Sequence, residues 1–182
     1  MATPTPTRQL TVSEFRQLPD PPGFRIELHN GEVIQVSPPR HKHFKMQQAL
    51  REMLHRRLGQ RGRVATELPF IPGSDLEFRI ADIAFITSIR FQSISDDDNL
   101  HGSPDLVVEV LSPSNTAAEM YEKERLCLAS GALEFWVVDA NREQVRVSSQ
   151  SSPTRVYSRG ELIPLTAFNA NAIPVDEVFS EL

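Results

Sequence analysis

Residues 106–111 read Leu-Val-Val-Glu-Val-Leu, and this run decides how the chain is expected to fold. It is the most apolar of the strand candidates, with no polar side chain apart from Glu109. Such a strand is typical of the centre of a sheet that is covered on both sides. A buried carboxylate costs several kcal/mol unless it is paired, hydrogen-bonded or bound to a metal, so Glu109 is expected to have a partner.

Helices and further strands are predicted on both sides of this run. Thr116 to Glu119 has the form of a capping box that opens a helix, and Asn30-Gly31 is a preferred hairpin centre because both residues tolerate positive φ. Apolar residues recur at helical spacing over 44–58, and Gly59 or Gly62 closes that helix. Further strands are predicted at 64–71, 78–86, 135–138, 144–148 and near Val156, and short helical segments at 11–19 and 174–179. The order predicts an α/β fold (α+β, a mixed sheet flanked by helices).

The size of the chain predicts one domain. Its 182 residues, 40% of them apolar, can bury one sizeable core, so we expect a disordered tail at 1–10 and a single domain at 11–182. One cysteine excludes an internal disulfide, and the first residues lack the features of a signal peptide, which predicts a cytoplasmic protein. No apolar run approaches the roughly 20 residues of a membrane span, so no membrane partner is expected.

Basic residues are concentrated in one segment although the net charge is -5. Between Arg40 and Arg63 there is one acid, Glu52, against the following bases: Arg40, Lys42, Lys45, Arg51, Arg56, Arg57, Arg61 and Arg63. A local excess of this size can attract phosphates, since salt screens charges more than about 10 Å apart. A solvated helix face is the alternative interpretation.

Two acids stand inside apolar strands, Asp82 and Glu109. On neighbouring strands about 5 Å apart they can meet and hold a divalent cation such as Mg²⁺, which takes a few carboxylate oxygens plus waters. Asp105 faces the same side as Glu109 but lies four residues, roughly 13 Å, away, and is expected to cap a loop or form a salt bridge. The alternative is that Asp82 and Glu109 pair with Arg79, Arg125 or another base.

Several motifs, in this order and spacing, resemble the Uma-type restriction endonuclease family of the PD-(D/E)XK nuclease superfamily. The resemblance runs from about Thr11 to Phe179, and residues 105–114 carry its most specific motif. The residues that carry the resemblance are Thr11 to Phe15, Ile26-Glu27-Leu28, Asn30 to Val33, Ser37-Pro38, His43, Ala81 to Phe85, Ser103 to Ser114, Glu122-Lys123, Gly131 and Glu134 to Asp139.

The resemblance implies a restriction-endonuclease-like fold whose active-site strands form a hairpin. It also implies phosphodiester hydrolysis with Mg²⁺ (or Mn²⁺). Asp82 and Glu109 match the two acids that hold the metal, and Glu27 matches an upstream acid that often completes such sites. His43 matches a position where the family often has His, and either contacts a phosphate or, as we expect, caps the helix.

Two positions depart from the superfamily pattern. Ala81 stands where the motif has proline, which affects the strand bend more than the chemistry. Leu111 stands where the superfamily usually has its lysine, and Lys123 is the natural substitute. Lys123 shares a helix stripe with Met120 and Cys127, which turns it towards the core, where it would orient water or stabilise charge on the phosphate. The alternative is a lysine that extends to solvent.

Two functions of different class follow from these residues. The first is a Mg²⁺-dependent DNA endonuclease with Asp82, Glu109, Lys123 and Glu27 as its catalytic residues. Nucleic-acid contacts are then expected at His43 and on three nearby basic side chains, Arg40, Lys42 and Lys45. A homodimer is expected by analogy, because cutting both strands of a duplex usually takes two sites. The second function is a catalytically inactive module that keeps the fold and binds nucleic acid or protein.

Overall fold

The computed structural model describes residues 8–19, 21–113 and 115–180. Residues 1–7, most of the expected tail, lie outside the described residues. At the end of the expected tail, the Leu10 amide donates to the Gly31 carbonyl at 2.9 Å. The helices are α1 (Val12–Phe15), α2 (His41–Leu58), α3 (Ser88–Gln92), α4 (Ala117–Ala129) and α5 (Val175–Val178). The strands are β1 (Arg25–His29), β2 (Glu32–Val36), β3 (Gly62–Ile71), β4 (Arg79–Thr87), β5 (Leu100–His101), β6 (Leu106–Val110), β7 (Glu134–Asp139), β8 (Gln144–Ser149), β9 (Arg155–Ser158), β10 (Leu162–Leu165) and β11 (Ala170–Pro174).

A seven-stranded mixed sheet forms the centre of the fold, in the order β5-β3-β4-β6-β7-β8-β9. Strand β6 is antiparallel to β4 and parallel to β7. All five of its residues are buried. On one face Val108 packs in a cluster with Leu50 of α2, and on the other Val107 packs in a cluster with Cys127 of α4. The predicted mixed sheet with helices on both faces, and the central place of this strand, are confirmed.

Helix α2 covers one face of the sheet. Its buried residues recur at the predicted helical spacing: Met46, Gln47, Leu50, Met53, Leu54 and Leu58. The helix ends at Gly59, as one of the two alternatives predicted, whereas Gly62 begins β3. Gly62 is required there for another reason, because a Cβ at this position would lie 2.0 Å from the Ile86 carbonyl oxygen.

The predicted hairpin at Asn30-Gly31 is confirmed. Strands β1 and β2 pair in the register Leu28↔Val33, and both turn residues have positive φ, 48° and 79°. Leu28 also exchanges backbone hydrogen bonds with Phe78, at 2.8 and 2.9 Å. The β1–β2 hairpin therefore packs against the start of β4, and side chains of β1 can reach the seven-stranded sheet from there.

Four elements were not predicted from the sequence. Residues 88–92 form helix α3 and residues 100–101 form strand β5, where the sequence predicted neither a helix nor a strand. Strands β10 and β11 form a second hairpin whose Ile163 and Ile173 lie in the same core cluster as α2. Among the described residues, no helix is long and apolar enough to cross a membrane.

Candidate active site

Asp82 and Glu109 meet where strands β4 and β6 separate. The two strands pair from Phe85↔Leu106 to Ile83↔Val108, and one further step in this register sets Asp82 opposite Glu109. Beyond the last paired residues, each carboxylate accepts a hydrogen bond from a backbone amide at this point. The Val110 amide donates to Asp82 Oδ2 at 2.8 Å, and the Asp82 amide donates to Glu109 Oε1 at 3.4 Å. The prediction that the two acids face each other across neighbouring strands is confirmed.

Lys123 reaches this point from helix α4. It lies on the buried face of the helix with Met120 and Cys127, and only 7% of its surface is exposed. Its Nζ lies 2.9 Å from Glu109 Oε2 and donates to the Ile80 carbonyl at 2.8 Å. The core-facing orientation read from the helix stripe is confirmed, and the alternative of a lysine extended to solvent is wrong.

Glu27 approaches the same region from strand β1. Its Oε1 accepts from the Ile80 amide at 3.0 Å, and its Oε2 lies 2.6 Å from His29 Nε2. Both backbone groups of Ile80 are thus used by predicted site residues, the amide by Glu27 and the carbonyl by Lys123. Burial opposes ionisation of Glu27, but the charges of Lys123 and His29 lower its pKa below the ordinary value.

His43 lies in the first turn of α2, where it faces Asp82. Its Nε2 is 3.2 Å from Asp82 Oδ2. The N-cap of the helix is Arg40, and no side chain caps it. The expectation that His43 caps the helix is wrong, because the first turn lies against the sheet and directs the imidazole to the half-buried Asp82 instead of to the helix end.

Gln47 is a site residue that the sequence prediction missed. It is 1% exposed, and its Nε2 donates to Asp82 Oδ1 at 2.9 Å. The available signal was its spacing: Gln47 follows His43 by one helical turn, so both side chains share a face of α2. A polar residue inside the apolar stripe between Met46 and Leu50 also needs a buried partner.

The charges at this site do not balance. Asp82, Glu109 and Glu27 bring three carboxylates near the single ammonium of Lys123. Burial raises the pKa of Glu109 to about 8, Lys123 opposes this rise, and the charges of Asp82 and Glu27 add to it. Burial disfavours the charged form of Lys123, yet the three carboxylates raise its pKa above the ordinary value. A cation bound beside Glu109 would therefore favour the ionised form of this carboxyl.

The donor set suits a divalent cation that keeps much of its water. Within residues 8–19, 21–113 and 115–180, no three His, Cys, Asp or Glu side chains converge closely enough to hold one metal ion. Mg²⁺ is commonly held by one or two carboxylates plus waters, a requirement that a pair such as Asp82 and Glu109 would meet. Metal binding by Asp82, Glu109 and Glu27 stays a prediction, and the two oxygens of Glu27 already contact the Ile80 amide and His29.

Of the bases proposed as alternative partners for the two acids, neither Arg79 nor Arg125 is found beside them, but another base is: Lys123 pairs with Glu109 at 2.9 Å. Arg79 is buried and pairs with Glu77 and Glu122, both at 2.8 Å, while Arg125 is exposed. Asp105 forms a salt bridge with Arg90 at 2.9 Å, as predicted.

The basic segment 40–63 divides into two parts. At the start of α2, beside the site, three basic side chains are exposed: Arg40, Lys42 and Lys45. At its end, Arg56 and Arg57 pair with Glu177, and Arg61 donates to the Asn169 carbonyl at 2.7 Å. The far part of the segment thus contacts the C-terminal region, and the near part presents exposed charge on the helix turn that carries His43.

Comparison with known proteins agrees with this geometry. The model of the Uma2 family, described as "Putative restriction endonuclease", matches residues 12–176. The chain belongs to the Uma2 family. No curated protein matches it significantly. In fold, this Uma2 chain is similar to the crystal structure of a "putative nuclease belonging to DUF820" from Anabaena variabilis, with a TM-score of 0.81 and 23% identity over 94% of this chain and 98% of that one. The restriction-endonuclease-like fold is confirmed, and the family is one of nucleases.

Proposed function

We propose that this Uma2 chain is a Mg²⁺-dependent endonuclease that hydrolyses phosphodiester bonds of DNA. The observation that carries the proposal is the meeting of Asp82, Glu109 and Lys123 at the point where β4 and β6 separate. Two carboxylates and an ammonium within a few ångströms supply the acids and the cation that metal-assisted hydrolysis of a phosphodiester needs.

Asp82 and Glu109 would hold Mg²⁺ (or Mn²⁺), with Glu27 as an auxiliary acid. Bound there, the ion would lower the pKa of a water and neutralise charge on the phosphate. Gln47 and the Val110 amide fix the Asp82 carboxylate from two sides, at 2.9 and 2.8 Å. Its orientation is therefore set before any ion or substrate binds.

Lys123 would act on the attacking water or on the phosphate. An ammonium has three N–H donors, and Glu109 and the Ile80 carbonyl take two of them in the described part of the chain. The third is available to a water or to a phosphate oxygen, where it would stabilise developing negative charge. A lysine on α4 thus supplies the cation that Leu111 cannot.

The DNA backbone would lie along the start of α2. His43 reaches Asp82 from this turn, and its neighbours Arg40, Lys42 and Lys45 are exposed there. Cations beside the reacting phosphate would hold the flanking phosphates by charge, independently of base sequence. A homodimer would bring two such sites to the two strands of a duplex.

Cleavage of supercoiled plasmid tests the proposal. We expect nicked or linear product with Mg²⁺ or Mn²⁺, none with EDTA, and none from Asp82→Ala with either metal. Asp97→Ala, which removes a carboxylate from an exposed turn, is the matched control and should cleave like the wild type. Activity retained by Asp82→Ala would refute the assignment, and binding of DNA without metal uptake or cleavage would favour the inactive module.

A further inference from the structure

Glu67 adopts a backbone conformation that is unusual for its place in the fold. It lies inside strand β3 with φ +54°, whereas the other non-glycine residues with positive φ in the described chain lie in turns: Asn30, Glu143 and Asn169. A left-handed backbone is unfavourable for a residue with a side chain, and Glu lacks the short polar group that helps Asn adopt it. Such strain persists only where surrounding contacts hold it, often at functional sites.

The unusual backbone stands directly opposite Asp82. Strand β3 pairs with β4 on both sides of this point, Thr66↔Ile83 and Leu68↔Ala81, so the register is unbroken and Glu67 faces Asp82. The Glu67 side chain accepts a hydrogen bond from Gln47 Nε2, the atom that also donates to Asp82 Oδ1 at 2.9 Å. Its other oxygen pairs with Arg25 of β1.

We propose that Glu67 is a positioning residue that acts on Asp82 through Gln47. A side-chain amide can present either its oxygen or its nitrogen, and two carboxylates that only accept hydrogen bonds select the nitrogen. With both N–H groups of Gln47 used, Asp82 Oδ1 is fixed, and Oδ2 is directed to the Val110 amide and the proposed ion. This inference rests on the proposed function in one respect, that Asp82 is the ligand being positioned.

The Glu67 carboxylate has two partners, and variants can separate them. Glu67→Gln keeps an acceptor oxygen for Gln47 but loses the charge that faces Arg25. Arg25→Met removes the ion pair and leaves the contact with Gln47. Glu67→Gly removes both contacts yet favours the left-handed backbone, and Gln47→Met breaks the link to Asp82 in a side chain of similar size. If the ion pair with Arg25 is what matters, Glu67→Gln and Arg25→Met should lose Mn²⁺ affinity. If Glu67 positions Asp82 through Gln47, Glu67→Gly and Gln47→Met should lose it.

Two measurements decide between these alternatives. Titration calorimetry with Mn²⁺ gives the affinity of the site. The ¹³Cγ resonance of Asp82, assigned by its disappearance in Asp82→Asn, reports the carboxylate in the metal-free protein at fixed pH. We expect Glu67→Gly and Gln47→Met to weaken Mn²⁺ binding about 10- to 100-fold and to shift the resonance, as loss of a partner behind a metal ligand does. Glu67→Gln and Arg25→Met should stay within about 3-fold of the wild type.

The thermal midpoint separates positioning from loss of folding. Glu67→Gly should keep the wild-type Tm or exceed it, because glycine adopts positive φ without strain. Wild-type Mn²⁺ affinity and an unmoved Asp82 resonance in both Glu67→Gly and Gln47→Met would overturn the inference. If the wild type binds no Mn²⁺, the proposed function fails, and the Asp82 resonance in the same two variants still decides whether Glu67 positions that carboxylate.

Discussion

Replacing Lys123 by Met removes the cation that faces Glu109 while it keeps most of the buried volume. Glu109 is 6% exposed and Lys123 7%, and their charged atoms are 2.9 Å apart. Loss of one partner of a buried ion pair leaves an uncompensated charge and costs about 3–5 kcal/mol. We therefore expect the metal-free variant to lose up to about that much free energy of unfolding at a pH high enough to keep Glu109 ionised in both proteins.

The loss should depend on pH in a defined direction. Burial raises the pKa of Glu109 to about 8 in the folded chain, so the folded state takes up a proton as the pH falls below that value. Without Lys123 the carboxyl pKa rises further, and the neutral acid forms more readily. The difference in stability between wild type and Lys123→Met should thus be largest above the pKa that Glu109 has in the variant, shrink as the pH falls towards about 8, and stay constant below that.

Urea unfolding in EDTA, followed by fluorescence of the buried Trp136, measures this effect. Arg125→Met, exposed and two residues further along α4, is the control and should change stability by less than about 0.5 kcal/mol. Adding Glu109→Gln to Lys123→Met removes the unpaired charge and should restore most of the loss. A loss under about 1 kcal/mol at high pH, or no recovery in the double variant, would refute the reasoning.

Three further results are expected. Asp82→Asn should lower plasmid cleavage by about 10²-fold or more and weaken Mn²⁺ binding, whereas the control Asp97→Asn should do neither. Equal cleavage by the two variants would contradict the assignment of Asp82 to the active site. Lys45→Ala should reduce the slope of log affinity for duplex DNA against log salt concentration by about 0.9 and leave kcat unchanged. An unchanged slope would contradict the proposal that the start of α2 contacts DNA. Burial raises the pKa of Glu134, whose carboxylate accepts from Trp136, so wild-type stability falls as the pH rises above the ordinary pKa of 4.5. Glu134→Gln should therefore gain stability relative to the wild type as the pH rises above 4.5 in urea titrations, and a difference that does not change with pH would contradict this.

The sequence predicted those parts of the fold that local pattern determines. Strand β6 was recognisable because burial on both faces leaves it almost no polar residue, and Lys123 because helical spacing set it beside Cys127. Helix α3 was missed because none of its five residues is buried, so it shows no apolar stripe. The β10–β11 hairpin was missed because its strands are short and contain Pro164 and Pro174, which weaken a strand pattern.

The site was predictable only in part, because its contacts depend on tertiary register. Asp82 and Glu109 stood out as acids in apolar strands, but their contact required the pairing of β4 with β6. His43 was expected at a helix cap, since nothing local shows that the first turn of α2 faces a carboxylate. Glu67 gave no signal at all, because its positive φ is a property of the folded sheet.

The two hydrogen bonds of the Ile80 main chain have a consequence for mutational tolerance. The Ile80 N–H donates to Glu27, and the Ile80 C=O accepts from Lys123. The two site residues therefore contact the peptide backbone at this position and not its side chain. A saturation screen should accept other strand-forming residues at position 80 and reject proline, which has no N–H to donate. Sequence variation among homologues would hide such a position, although the site depends on it.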